Sequence, residues 1–445
     1  MNADNLSKAE RLIALLDHLG LAAAHFATQM PLDVSELAAS HPERMGGLVL
    51  LVPTRLDPDP FAAVAARTLV VSGDRGQIQQ AIDRALPAMP GTRKHVFEGY
   101  EATGWSDIAR DHGDALVAAM TQFLRSVEPP APAPPSGGTM SPSTGTHAGL
   151  TYRISGSGPA LILSPFFLAP SQWDPVEASL AGHFTVIRIG GAHVGGVAAL
   201  EDRARGPSYR NMMTNLADVA GAREGQSILD VGCGSGALAR LLAKQLGPSA
   251  RVDAVDVNGY LMAEGNELAR SEGLGDRIRF HTGSAEKLPF PDSSFDCALT
   301  VTVLEECDAK QAIREMMRVT RPAGRIGIIV RAIDMPQWWS MDLDPALSER
   351  ANKPPPSVAP LGVADKRLYA MMRQAGLQDL VIFPQLVTLD RPGGTIWRYR
   401  EDHVLSQLDA TERARWQELA KAATSTTGNV QAHPMHCAVG TKPAT

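Results

Sequence analysis

The stretch "SILDVGCGSGALARLLAKQLG", Ser227 to Gly247, constrains this chain more than any other. An apolar, strand-like run ends at Asp230, and Gly232, Gly234 and Gly236 then alternate before a helical pattern that begins near Ala237. Glycine at such positions permits positive φ and leaves bare backbone for a ligand beside a helix N-terminus. A tight strand-to-helix turn that holds nothing would use the same residues, so the neighbouring loops must decide.

Those loops favour a ligand. "RVDAVDVN" puts Asp256 at the end of the next strand, where a carboxylate can accept two hydrogen bonds from a ribose diol. "HTGSAEKLPFPDSSFD" follows the strand "RIRF" and has an apolar, amide-rich edge suited to an adenine. From about Ser208 strands and helices alternate: "RVDAVDV", "RIRFHTG", "DCALTVTV" and "RIGIIVRA" are strands, "LMAEGNELARSEG" and "AKQAIREMMRVT" helices. The alternation predicts a parallel, doubly wound sheet, which binds ligands at the C-terminal ends of its strands.

On "ILDVGCGSG", "DAVDVN", "GSAEKLPFPDSSFD" and "REMMRVTRPAGRIGIIV", residues 205–445 resemble the class I S-adenosylmethionine-dependent methyltransferases of the ubiquinone/menaquinone-type branch. "LPFPDSSFD" and "RVTRPAGR" disfavour a nicotinamide dehydrogenase. The resemblance implies S-adenosyl-L-methionine as cofactor and S-adenosyl-L-homocysteine as product. It implies that Gly232, Gly234 and Gly236 approach the methionine moiety and ribose, that Asp256 holds the ribose, and that Ser284 and Ala285 line the adenine. Tyr209, Asp230, Val257, Glu286 and Thr300 complete the expected cofactor set. Ser284 departs from the aspartate usual in the family, which leaves a weaker hydroxyl contact or backbone alone for the adenine amino group.

Methyl transfer from a sulfonium is an in-line displacement governed by proximity and alignment, so a general base is optional. Glu305 and Glu306, just past the fourth strand, are candidate bases, with Glu306 where relatives often carry histidine. A solvated pair at a helix start is the competing reading. His436 is a further catalytic candidate and His433 a substrate contact, unless the two form an ordinary strand-end pair. Two histidines alone make no metal site, and no metal is expected. Trp338 and Trp339 lie in "RAIDMPQWWSMDLDPALSERANKPPPSVAPLG", which reads as a proline-rich insertion without regular structure, and either close over an apolar acceptor or pack the insertion down. Tyr209 either covers the sulfonium through a cation–π contact or anchors its helix.

Residues 6–127 resemble the later part of an α/β-hydrolase, on "LLDHLGLAAAHFATQM" and "ELAASHPERMGGLVLLVP". The resemblance puts Gln29 at the serine position of the nucleophile elbow, Gly76 near the acid position with Asp74 close by, and Ala102 near the histidine position. It therefore implies that the triad is absent. "LTYRISGSGPALILSPFFLAPSQWDPVEASLAGHFTVIRI" resembles the opening strands of the same fold, with Ser164-Pro165 where the oxyanion loop begins. Opening strands placed after closing ones suggest circular permutation within one chain, or a swap between protomers.

The expected fold class is α/β with two domains: a Rossmann-like methyltransferase sheet, mostly parallel and doubly wound, and an α/β-hydrolase-like domain. The boundaries are 1–127, a Pro/Gly/Ser-rich linker at 128–148, hydrolase-like strands at 149–200 and the methyltransferase at 205–445. With 20 % charged residues and a net charge of -6 nothing points to nucleic acid or an anionic membrane, and without a stretch of roughly 20 apolar residues or a signal-peptide pattern a soluble, cytoplasmic protein is expected. The four cysteines read as reduced, mostly buried thiols. The expected partner is a small-molecule acceptor, and a homodimer is one arrangement the linker allows. The competing readings are a non-catalytic binding or scaffold protein that has lost both activities, and a residual hydrolase with an unrecognised nucleophile.

Overall fold

A computed structural model describes residues 6–102, 106–127, 143–390, 392, 394–426 and 428–444, and the chain divides into two compact units, Met1–Ala198 and Ala199–Thr445.

The strands of the first unit are β1 (Ala24–Thr28), β2 (Met45–Leu51), β3 (Thr68–Arg75), β4 (Arg93–Glu101), β5 (Thr144–His147), β6 (Leu150–Gly156), β7 (Ala160–Leu163) and β8 (Thr185–Gly190). They form one sheet in the order β4-β3-β2-β1-β7-β8-β6-β5. Only β6 and β5 are antiparallel to their neighbours. β1 and β2 are buried along their whole length, the pattern of a parallel sheet covered on both faces. β1 pairs with β2 on one side and β7 on the other, with Phe26 opposite both Leu48 and Ile162. Segments far apart in sequence thus meet at the centre of the sheet. Most of the expected linker, residues 128–142, lies outside the described residues. Its end differs from expectation: Thr144–His147 is an edge strand, because a threonine-containing run beside a free strand edge can pair with β6 despite its polarity.

The second unit holds β9 (Ser227–Val231), β10 (Arg251–Asp256), β11 (Ile278–Thr282), β12 (Phe295–Val301), β13 (Thr320–Arg331), β14 (Trp338–Trp339), β15 (Gln378–Ile382), β16 (Gln385–Leu389) and β17 (Gln431–Thr441). The order is β11-β10-β9-β12-β13-β17-β14, with β15 and β16 also on β17. β9 to β13 are parallel, whereas β17 runs antiparallel to β13 and to the three short strands. The order reverses between β9 and β12, the kind of position at which open α/β sheets bind ligands. β17 is buried to its last residue but one, since strands flank it on both edges.

The insertion after β13 is more regular than its prolines suggest. It contains β14 and a helix, Pro345–Ala351, started by Asp344, whose carboxylate accepts the Ala346 and Leu347 N–H groups. Trp339, Met341 and Leu347 bury themselves against Trp397 and Trp416 in a small separate core, which supplies the driving force that local propensity lacks. Among the described residues no helix is long and apolar enough to cross a membrane.

Candidate functional site

β9 delivers the glycine turn to the point where the strand order reverses. Gly232, Gly234 and Gly236 have φ of 70°, 53° and 77°, a region open to glycine and costly to other residues. The turn is also crowded from behind: a Cβ on Gly232 would lie 2.2 Å from Val303 Cγ2, and one on Gly236 would lie 2.8 Å from the Phe280 ring. Gly236 is the N-cap of the helix Ala237–Gln245, so the turn feeds directly into a helix N-terminus. Ser235 donates its hydroxyl to the Glu201 carboxylate at 2.5 Å, and Arg240 pairs with Glu201 and donates to the Ser235 carbonyl at 2.6 Å. This buried network fixes the turn.

Asp230 is buried, and its carboxylate accepts the Ala239 N–H at 3.1 Å. Burial, opposed by that hydrogen bond and reinforced by the nearby Asp256 charge, raises its pKa to about 7. Asp230 therefore braces the turn from below. Asp256 accepts the Gly234 N–H at 2.8 Å and the Asn258 N–H at 2.9 Å, while Val257 beside it is exposed. Asn258 caps the helix Gly259–Ser271 through Leu261 N–H at 3.2 Å, which holds the loop after β10 in place. The Ser284 hydroxyl accepts the Glu286 N–H at 3.1 Å, and Glu286 reaches the Asp308 N–H at 2.6 Å. Ala285 packs on the core under this loop.

Gly232, Gly234, Gly236, Asp256, Ser284 and Ala285 thus lie on loops that follow three adjacent parallel strands. Bare left-handed backbone and a carboxylate acceptor suit a nucleoside-bearing cofactor. Thr300 does not face it, because its hydroxyl is buried in the sheet and donates to the Val231 carbonyl at 2.9 Å.

Several other candidates are already engaged. Glu305 is buried and pairs with Arg331, accepting its backbone N–H at 2.6 Å and its guanidinium Nε–H, so it anchors β13 and is unsuited to act as a base. Glu306 is exposed in the same turn, and the helix that follows is capped instead by Asp308. His433 and His436 lie inside β17 and point to opposite faces, as an odd spacing in a strand requires. His433 Nε2 meets the Tyr209 hydroxyl at 3.0 Å and Nδ1 meets Gln431 Oε1 at 3.1 Å. Burial, with Arg400, Arg203 and Arg331 around it, lowers its pKa well below the ordinary value. His436 bonds Tyr369 through Nδ1 and Asp334 through Nε2, each at 2.7 Å. Both rings are fasteners with neither nitrogen spare. The Tyr209 ring carries the Arg203 guanidinium at 5.5 Å, so a cation already covers it.

The tryptophan pair splits between the two faces of β14. Trp339 is buried, donates Nε1–H to the Ala351 carbonyl at 3.0 Å and stacks edge-on against Trp397 and Trp416. Trp338 is 53 % exposed and remains the one available to cover a ligand.

A small open pocket, with enclosed room for about one water, lies at the C-terminal end of β13, lined by Arg331, Ile333, Pro354, Pro355, Arg400 and His433 among others. Sequence reasoning missed Glu201, Arg331 and Arg400. For Arg400 a signal existed: Trp397, Arg400, Val404 and Leu408 follow helical spacing, which puts an arginine on an apolar stripe.

A family model described as a methyltransferase domain matches residues 228–324. Two ubiquinone/menaquinone biosynthesis C-methyltransferases are similar: that of Hahella chejuensis is 40 % identical over 25 % of this chain and 45 % of its own length. That of Pseudomonas fluorescens is 34 % identical over 29 % and 51 %. The chain thus spans about half the length of the curated relatives it matches. Among solved structures, the YcgJ protein from Bacillus subtilis aligns at 19 % identity and a TM-score of 0.38, over 53 % of this chain and 99 % of that one. Geranyl diphosphate C-methyltransferase from Streptomyces coelicolor aligns at 16 % identity and a TM-score of 0.32, over 53 % and 78 %. What the comparisons share is residues 228–324, which match a methyltransferase-domain family.

Proposed function

We propose that this chain transfers the methyl group of S-adenosylmethionine to a small-molecule acceptor. The observation that carries the reading is the turn from Gly232 to Gly236, left-handed at each alternate residue and tied by Gly234 to Asp256. The cofactor supplies a methyl group activated on a sulfonium. The glycine turn offers its backbone, Asp256 offers a charged acceptor to a diol, and Ser284 keeps a hydroxyl proton free for the adenine edge. Because Glu305, His433 and His436 are engaged, the chemistry rests on alignment, with Glu306 the one carboxylate of its turn left to take a proton.

Residues 1–198 belong, in this reading, to a circularly permuted α/β-hydrolase-like unit without hydrolytic chemistry. The strand order and the two antiparallel strands at one edge support it. So does Gln29, which follows β1 where a nucleophile would stand, is buried, and accepts the Phe167 N–H at 3.0 Å. In a hydrolase that segment would offer its amide to an oxyanion; here a side chain fills the place. A role in dimerisation or in shaping the acceptor pocket fits such a unit.

Titration calorimetry with S-adenosylmethionine and S-adenosylhomocysteine tests the first reading. Micromolar binding is expected, and its absence favours a scaffold protein. Ester turnover by the full chain would overturn the reading of the first unit.

A further inference from the structure

Arg400 is 4 % exposed, on the helix Thr395–Leu405, and borders the pocket at the end of β13. Its one hydrogen bond among the described residues runs from Nη1 to Gln337 Oε1 at 2.9 Å, a neutral acceptor, while Nε is buried without a partner. Two other arginines held out of water have carboxylate partners: the buried Arg240 pairs with Glu201 and Glu272, and the part-buried Arg331 with Glu305. Around His433 stand Arg331, Arg400 and Arg203, and Glu305 is the carboxylate that Arg331 already holds. A guanidinium out of water with no ion-pair partner of its own is costly, and its planar fork fits an oxyanion.

The pocket's position ties it to methyl transfer. The turn after β12 places Val303 against Gly232 and Glu305 against Arg331, so one short segment touches both the glycine turn and the pocket wall. β13 is the strand next to β12 on the side away from the cofactor loops.

We propose that the pocket binds a carboxylate or phosphate carried by the methyl acceptor, with Arg400 as its principal partner and Arg331 at its rim. The inference rests on the methyl-transfer reading for the identity of the ligand, and on the pocket alone for its charge. An acidic acceptor replaces the apolar one that the tryptophans suggested, since Trp339 is committed to a core.

The test is calorimetry on the full chain, with and without saturating S-adenosylhomocysteine. Sodium acetate, sodium benzoate and sodium phosphate are the probes, each against sodium chloride at equal ionic strength. At least one oxyanion is expected to bind together with S-adenosylhomocysteine, and the tightest shows which acid group the pocket prefers. Arg400→Gln is expected to weaken that binding at least about tenfold while leaving S-adenosylhomocysteine affinity unchanged. Should that variant fail to fold, Arg400→Lys keeps the charge, loses the fork and must still bind more weakly than wild type. Three results overturn the proposal: no oxyanion binding above chloride, equal binding by the folded variant, or competition with S-adenosylhomocysteine, which would give the site to the cofactor's own carboxylate. Failure of S-adenosylhomocysteine to bind would instead remove the methyl-transfer reading and leave the oxyanion result standing.

Discussion

The Asp256 carboxylate accepts the Gly234 N–H at 2.8 Å, so one side chain joins the glycine turn to the loop that follows β10. A carboxylate has about four lone-pair directions, and two are in use. Asp256→Ala should therefore weaken S-adenosylhomocysteine binding by about 1–3 kcal/mol, through the lost diol contact and a looser turn. Calorimetry checks this, and an unchanged affinity would remove Asp256 from the site.

Gly232→Ala meets two obstacles, the left-handed φ of 70° and Val303 at 2.2 Å. The expected cost is about 1–3 kcal/mol of stability, accompanied by loss of cofactor affinity. Adding Val303→Ala should recover only the steric part. Full recovery in the double variant, read by thermal denaturation, would show that the backbone conformation is not constraining.

Asp230 gives the second unit a pH signature. Burial raises its folded pKa to about 7, whereas in the unfolded chain the group titrates near 3.8. Between those values the folded state binds more protons, so this group's contribution is most favourable below about pH 4 and declines as pH rises towards 7, by up to about 4 kcal/mol. Asp230→Asn keeps an acceptor for the Ala239 N–H and removes the titration. Its melting temperature should exceed that of wild type at pH 8, with the gap closing at pH 5.

Glu305→Gln separates an anchor from a base. It leaves Arg331 mostly buried and without its charge partner, which should cost about 3–5 kcal/mol of stability. Denaturant unfolding would measure that loss. A stable variant with a selective fall in kcat would restore Glu305 as a catalytic residue.

The glycine turn, Asp256 and the Ser284 loop were legible because each is a local motif at the end of its own strand. The pocket at the end of β13 was not, since segments near residues 331, 354, 400 and 433 build it and no short pattern contains them. Tyr209 and His433, hydrogen-bonded at 3.0 Å, are 224 positions apart. Local reading also treated Trp338 and Trp339 as a pair. Once they form a strand, alternation sends them to opposite sides.

The pairing of β1 with β7 has a consequence for chain integrity. Gln29 and Phe167, joined across that seam, are 138 positions apart, with residues 128–142 between them. Parallel ladders and buried apolar faces, rather than the covalent path, hold the two parts of the first sheet against each other. A protease that nicks the chain between Val127 and Ser143 should therefore yield two fragments that copurify, and the same two fragments expressed separately should reassemble. The first unit is in this sense already a split protein whose halves are kept at high effective concentration by being born on one chain.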